Sequence, residues 1–268
     1  MTKPNTTLIT VILDRSGSMR PIAKDTIGGF NTFLADQKKD PADEARLTLV
    51  QFDHEYDVIH NNKLLAEVPE LTGETYVPRG NTALLDALGR TITTTGQTLS
   101  AMPENERPEA VVVVVITDGE ENASREYTKA QVAAMVKEQT DVYKWQFLFL
   151  GANIDAIQAG ASVGVHAANA MNYQPTAGGM DVLLRDVSSN VKSYRSTKQV
   201  SDLSFTQAQR DANAGPADPA SVIVSSKIDI AILTPSEVDI ALKANHAGER
   251  VVAAARKRGA KADSASKP

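Results

Sequence analysis

The chain contains no cysteine. Disulfide frameworks, thiolate metal sites and cysteine nucleophiles are therefore excluded, although the compartment stays open because secreted chains can also lack cysteine. A bilayer-spanning run is missing too. The longest purely apolar stretch, AVVVVVI at residues 110–116, is far too short to cross a membrane. The opening residues, MTKPNTTLIT, hold no apolar stretch of signal-peptide type ahead of the first strand, so the expectation is a soluble, cytoplasmic protein with no membrane partner. Basic excess is absent: 28 Lys and Arg stand against 33 Asp and Glu, for a formal net charge of -5. That balance argues against a nucleic-acid partner, which would need a dominant basic face. No Gly-Lys-Ser/Thr sequence is present to cradle phosphates, and no repeat of solenoid period is visible.

What is present is a core. With 268 residues, 42% of them hydrophobic, the chain can build one large domain, or one domain and an appendage. Continuous apolar, β-branched or aromatic segments at 8–13, 110–116 and 144–150 read as buried strands. An alternating segment at 46–52 and a short one at 56–60 read as two more. Helical spacing runs through 22–38, 82–99, 128–138, 154–161 and 178–194. Strands and helices alternate and the main strands are apolar throughout, the pattern of a parallel sheet covered by helices on both faces. From about residue 196 the chain turns polar, with Gly and Pro, and 196–221 reads as a linker. Residues 222–258 read as a C-terminal extension, a strand and then a helix, and 259–268 as a disordered tail.

In such sheets sites form beyond the carboxyl ends of the strands. There the first strand stops at DRSGSM, with Asp14, Ser16 and Ser18 at alternate positions, and the 110–116 strand stops at TDGEEN, with Asp118. A third segment, GNTALLDAL, places Thr82 at a helix start. Taken singly, Asp14, Ser16 and Ser18 suit turns and helix caps as well as a metal ion. If the three loops converge, they offer two carboxylates and three hydroxyls, with no imidazole or thiolate. That all-oxygen set suits Mg²⁺ or Mn²⁺ and suits Zn²⁺ poorly. So few negative charges would leave the ion electrophilic, with room for an acidic side chain from a partner.

DRSGS, the Thr of GNTAL and the Asp of TDGEE, in this order and strand context, resemble the metal-ion-dependent adhesion site (MIDAS) of von Willebrand factor A domains. The resemblance covers residues 5–195. It implies a Rossmann-like, three-layer αβα fold with a mostly parallel sheet and one short antiparallel edge strand, for which 58–60 is the candidate. It also implies that Asp14, Ser16, Ser18, Thr82 and Asp118 hold the metal, and that the domain binds proteins and is not an enzyme. Intracellular bacterial members of that family often work beside AAA+ ATPases, including those of the MoxR type, or in stress and phage-related clusters. Adhesion, a trait of the secreted animal members, is not carried over.

The rival is a Mg²⁺-dependent phosphoryl-transfer enzyme with Asp14 as nucleophile. Such enzymes also begin with an apolar strand ending in Asp, but they usually carry a second Asp two residues on, where Ser16 stands here. A serine hydrolase would need a positioned base, and none of the four histidines shares a motif with a serine and an acid. Around the site, Asp86 reads as an exposed helix acid and Glu120 and Glu121 as solvated rim acids. Arg15 and Met19 read as loop residues near the mouth of the site.

Overall fold

The computed structural model describes residues 1–40 and 43–214. The extension expected at 222–258 and the tail at 259–268 lie outside the described residues. Six strands form one sheet: β1 (Lys3–Asp14), β2 (Glu44–Phe52), β3 (Tyr56–Leu64), β4 (Pro108–Thr117), β5 (Gln146–Gly151) and β6 (Ala170–Asn172). Their order is β3-β2-β1-β4-β5-β6. Every pairing is parallel except β2 with β3, which is antiparallel and irregular at two places. The expected antiparallel edge is thus β3, longer than the segment at 58–60 assigned to it. Among the described residues six helices cover the sheet: α1 (Ala23–Lys39), α2 (Leu84–Ala101), α3 (Lys129–Asp141), α4 (Ala156–Ser162), α5 (Ala177–Thr197) and α6 (Gln207–Ala214).

The continuous apolar strands are explained by burial on both faces. Along β1, Ile9, Val11 and Leu13 join Phe30 and Leu34 of α1 and Leu183 and Val187 of α5. The even-numbered Leu8 and Ile12 join Leu84 and Leu88 of α2, Val132 of α3 and Ala156 of α4 on the opposite face. The alternation read at 46–52 does not survive as an inside-outside pattern. Thr48 and Gln51 are buried as well, and Gln51 donates its Nε2 to the Thr75 carbonyl at 3.0 Å. Helix starts carry the caps their sequences offer. Thr128 and Gln131 form a reciprocal capping box at α3, and Thr176 accepts from the Gly179 amide at α5.

Residues 196–214, expected to begin a linker, fold against the domain. Leu203 and Phe205 are buried in the same cluster as α1 and α5. Arg210 of α6 donates to three carbonyls, those of Ala170 (2.7 Å), Ala167 (3.0 Å) and Ala168 (3.0 Å), and its guanidinium lies 6.0 Å from the Phe205 ring centre. The sequence of this segment is polar because its anchors are few and its helix is short. The strand β6 carries no signal in the sequence either. It is three residues long and lies among small and polar residues, with no apolar run to mark it.

Arg210 supplies hydrogen bonds that close the edge of β6, so Arg210→Ala should loosen that edge. The expected cost is about 1 kcal/mol, from the bond to the carbonyl of buried Ala170, since the Ala167 and Ala168 carbonyls keep the backbone donors Ala170 and Phe205. Hydrogen exchange should show the amides of residues 199–214 exchanging faster while those of β1 and β4 keep their protection, because openings of this kind are local.

A candidate metal centre at the carboxyl ends of β1 and β4

β1 sits between β2 and β4, so successive crossovers leave it in opposite directions and a crevice opens beyond its carboxyl end. Asp14 is the last residue of β1 and is fully buried. Its Oδ1 accepts from the Ser16 amide at 2.6 Å, a local turn that aspartate makes readily. Its Oδ2 accepts from Thr117 Oγ1 at 2.6 Å, from the last residue of β4. The chain then winds through a 3-10 turn at Gly17–Ile22. This brings Ser18 Oγ to 3.1 Å from Ser16 Oγ and to 2.6 Å from Asp118 Oδ1, to which it donates.

The third loop is laid against the first by main-chain bonds. The Gly17 amide donates to the Gly80 carbonyl at 3.1 Å and the Arg79 amide to the Arg15 carbonyl at 2.7 Å. Gly80 has φ of 68°, and a Cβ there would strike the His54 ring, so glycine is required for the loop to pass. Thr82 follows, just before α2. Its amide donates to Asn122 Oδ1 at 2.9 Å and its carbonyl accepts from the Asn122 amide at 3.0 Å. Gly119 lies where a Cβ would be 3.6 Å from Ser18 Oγ and 3.7 Å from Thr82 Oγ1, so both hydroxyls face the same spot beside Asp118. All five residues singled out in the sequence are brought to one place. Ser16, Thr82 and Asp118 are buried and Ser18 is exposed, so access is from the Ser18 side.

Electrostatics make this a place that lacks positive charge. Burial pushes the Asp14 carboxyl up to about 6 from 3.8, against the opposing effect of the hydrogen bonds from Thr117 and Ser16, and the Asp118 charge adds to the rise. Burial also raises Asp118, against the hydrogen bond from Ser18. Among the described residues no group of three or more His, Cys, Asp or Glu gathers to hold a metal. The donor set is instead two carboxylates with three hydroxyls. Two carboxyls held above their ordinary range by desolvation, ringed by hydroxyl oxygens and reached from one side, fit a single hard divalent cation.

Several neighbours are not where the sequence suggested. Arg15 is buried and turned away from the mouth, with Nε 3.2 Å from Asp53 Oδ2 and Nη2 2.6 Å from Asp57 Oδ2. Met19 is fully buried in the core. Asp86 does not project freely into solvent: its carboxylate accepts from the amides of Arg125, Glu126 and Tyr127 at 2.8–2.9 Å. Glu121 accepts from the amides of Ala123 and Ser124 and from Leu85 in the first turn of α2. These two acids tie the Asp118 loop to α2. Glu120 is exposed, as expected of the rim. It lines a groove of about 450 Å³ running from Gly119 past Leu84 and Lys129 to Ile154 and Gln158.

Two tyrosines escaped the sequence reading. Tyr76 donates its hydroxyl to the Asp14 carbonyl at 2.6 Å, and Tyr173 to the Thr117 carbonyl at 3.1 Å. Burial, reinforced by the nearby carboxylates, holds both phenols well above their ordinary range, so they stay protonated donors. Neither carries a local signal, since each meets its partner across more than 50 residues of chain.

No protein-family model matches the sequence, and no curated protein is similar to it in sequence. Solved structures do match. Proximal thread matrix protein 1 from the mussel byssus aligns over 70% of this chain and 48% of its own, at 14% identity and a TM-score of 0.50. The same mussel protein with a zinc-occupied MIDAS motif aligns over the same shares at 13% identity and a TM-score of 0.50. A von Willebrand factor type A structure from Catenulispora acidiphila aligns over 71% of this chain and 43% of its own, at 15% identity and a TM-score of 0.45. The likeness is one of fold. It is a three-layer α/β arrangement, a mostly parallel sheet with one antiparallel strand at its edge. This chain spans about half the length of the mussel protein it matches. Among the described residues no helix is long and apolar enough to cross a membrane.

Proposed function

We propose that this protein is a metal-dependent protein-binding module. A divalent cation, Mg²⁺ or Mn²⁺, is held by Asp14, Ser16, Ser18, Thr82 and Asp118 and accepts an acidic side chain from a partner. The observation that carries this reading is the convergence of three loops: Ser18 Oγ lies 2.6 Å from Asp118 Oδ1 and 3.1 Å from Ser16 Oγ, with Thr82 Oγ1 facing the same spot. The cation supplies the positive charge that two desolvated carboxyls need, and a Lewis-acidic position open to an incoming oxygen. The chain's part is to hold the hydroxyls on one side of that position and to bury Asp14 beneath it. Residues flanking the partner's acid would lie toward the groove beside Glu120. The resemblance of the motifs extends the reading to a cytoplasmic, bacterial or phage adaptor working with an AAA+ ATPase of the MoxR type.

Ser16 stands where phosphoryl-transfer enzymes that begin in this way usually carry a second Asp, and that speaks against the phosphoryl-transfer reading.

A first test compares melting of the full chain in chelator with melting in Mg²⁺, Mn²⁺ or Zn²⁺, the last included because zinc fills the MIDAS motif of the mussel protein. A cation at a hundred times its Kd should add about 2.7 kcal/mol to the folded state. Asp118→Ala should remove that gain. Partner capture from a bacterial lysate should then fail in chelator and return with Mg²⁺. Turnover of an aryl phosphate in Mg²⁺ would overturn the adaptor reading in favour of the enzyme.

A further inference from the structure

Beneath the candidate centre the last carbonyls of the two central strands are each held by a buried phenol. Asp14 closes β1 and Thr117 closes β4, and these strands are direct neighbours, with Leu13 opposite Ile116. Tyr76 reaches the Asp14 carbonyl from the long loop between β3 and α2, where its own amide donates to the Thr72 carbonyl at 3.0 Å. Tyr173 reaches the Thr117 carbonyl from the residue after β6, where its amide donates to the Gly151 carbonyl at 3.0 Å. Both rings belong to the core cluster shared with α1 and α5, so each hydroxyl is aimed by packing as well as by its hydrogen bond.

The consequence is positional. The carbonyl of Asp14 is on the same residue whose carboxylate lies in the site, and the carbonyl of Thr117 is one peptide away from Asp118. Thr117 also spans the two strands through its own hydroxyl, which donates to Asp14 Oδ2. Three hydroxyls therefore set where β1 and β4 end relative to one another, and hence the separation of the two carboxylates.

We propose that Tyr76 and Tyr173 are positioning residues for the cation, acting through the strand-end carbonyls of Asp14 and Thr117. The inference rests on the metal-binding reading of the site. Groups that orient ligands from behind commonly cost ten- to a hundredfold in metal affinity when removed, because the ligands then sample arrangements that do not bind.

The test is Tyr76→Phe and Tyr173→Phe in the full chain, each removing one oxygen and keeping the ring. Calorimetric titration with Mg²⁺, and with Mn²⁺ followed by its electron paramagnetic resonance signal, gives Kd for each. Melting in chelator gives the stability of the metal-free protein. Tyr56→Phe is the matched control, since Tyr56 meets Thr91 at 3.1 Å away from the strand ends. The expected result is a Kd weakened about tenfold by each of the two site variants, and a Kd unchanged in the control. A site variant that melts lower in chelator yet binds both cations with the wild-type Kd would assign the tyrosines to stability alone and overturn the proposal, while leaving the metal reading intact. Failure of the wild type to bind either cation would overturn both. If one Phe variant does not fold, the other carries the test, since each tyrosine holds its own strand end.

Discussion

In chelator at pH 7, Asp14→Asn is expected to melt higher than the wild type, and it should gain nothing when Mg²⁺ is added. The two results come from one cause. A carboxyl raised to about 6 from 3.8 binds its proton more tightly in the folded protein than in the unfolded chain. Below pH 3.8 both states are protonated and the folded state keeps its full advantage. As the pH rises from 3.8 to about 6, the unfolded chain sheds this proton while the folded protein keeps it, so stability falls and then levels off once the buried carboxyl ionises. A shift of this size corresponds to about 3 kcal/mol lost by neutral pH. Asparagine keeps the acceptor for the Ser16 amide and carries no charge, so it recovers most of that loss. Thr117 Oγ1 can then donate to the Gly119 carbonyl, already 3.2 Å away. The gain should be several degrees, at about 2–4 °C per kcal/mol for a domain of this size. It should shrink as the pH is lowered from 7 to 4. In saturating Mg²⁺ the order reverses, because the cation offsets the buried charge in the wild type and has no anionic Asp14 to meet in the variant. A variant less stable than wild type in chelator at every pH would mean that Asp14 is held as a structural hydrogen-bonding group, with no deficit of positive charge around it.

The same residue shows what could be read from the sequence and what could not. Asp14, Ser16 and Ser18 sit at the end of an apolar run, and a run buried on both faces must belong to a parallel sheet whose carboxyl ends carry the site. Asp118 follows from the same logic on β4, and Thr82 from its place at a helix start. These are local signals, and the structure brings the five residues together. What supports them is not local. The Tyr76 and Tyr173 bonds, the Arg15 pairing with Asp53 and Asp57, and the bonds from the Asp86 and Glu121 carboxylates join segments far apart in the chain. Before folding, such residues look like any arginine, tyrosine or acid on a loop or helix. The same limit hid β6 and α6. β6 buries Ala170 and Met171 but is only three residues long, too short to show a period, and α6 is polar and held to it by the bond from Arg210. An apolar run announces itself because its energy comes from its own side chains. A strand edge or a loop held by an ion pair takes its energy from a partner that sequence order does not name.

Such a partnership at the opposite end of the sheet should give the largest stability effect in the molecule. Asp43→Asn is expected to cost about 3 kcal/mol, as a buried arginine loses the nearer of its two carboxylate partners. Arg195, on α5, is almost wholly buried. Its Nε donates to Asp43 Oδ1 at 2.8 Å, and its Nη1 to the Gln37 carbonyl and Oε1 at 2.9 and 3.0 Å. Asp43 is equally buried and also meets Lys198 at 2.6 Å and Thr7. One carboxylate therefore ties the end of α5 to β1 and to the start of β2. Removing its charge leaves Arg195 with only the longer pairing to Asp40 Oδ2 at 3.9 Å and its carbonyl acceptors, whereas the partly exposed Lys198 can turn to water. Arg195→Met should cost less, because Asp43 keeps Lys198 and Thr7, and a flexible apolar side chain suits the space. The double variant should then be more stable than Asp43→Asn alone, since the underpaired charge is gone, and a thermal double-mutant cycle would show this as non-additivity. Additive losses would mean that Arg195 is satisfied by its carbonyl partners whatever occupies position 43. The Kd for Mg²⁺ serves as the internal check. Asp43 precedes β2 at the amino end of the sheet, so a fall of roughly 10 °C in melting should leave metal affinity nearly unchanged wherever the domain remains folded.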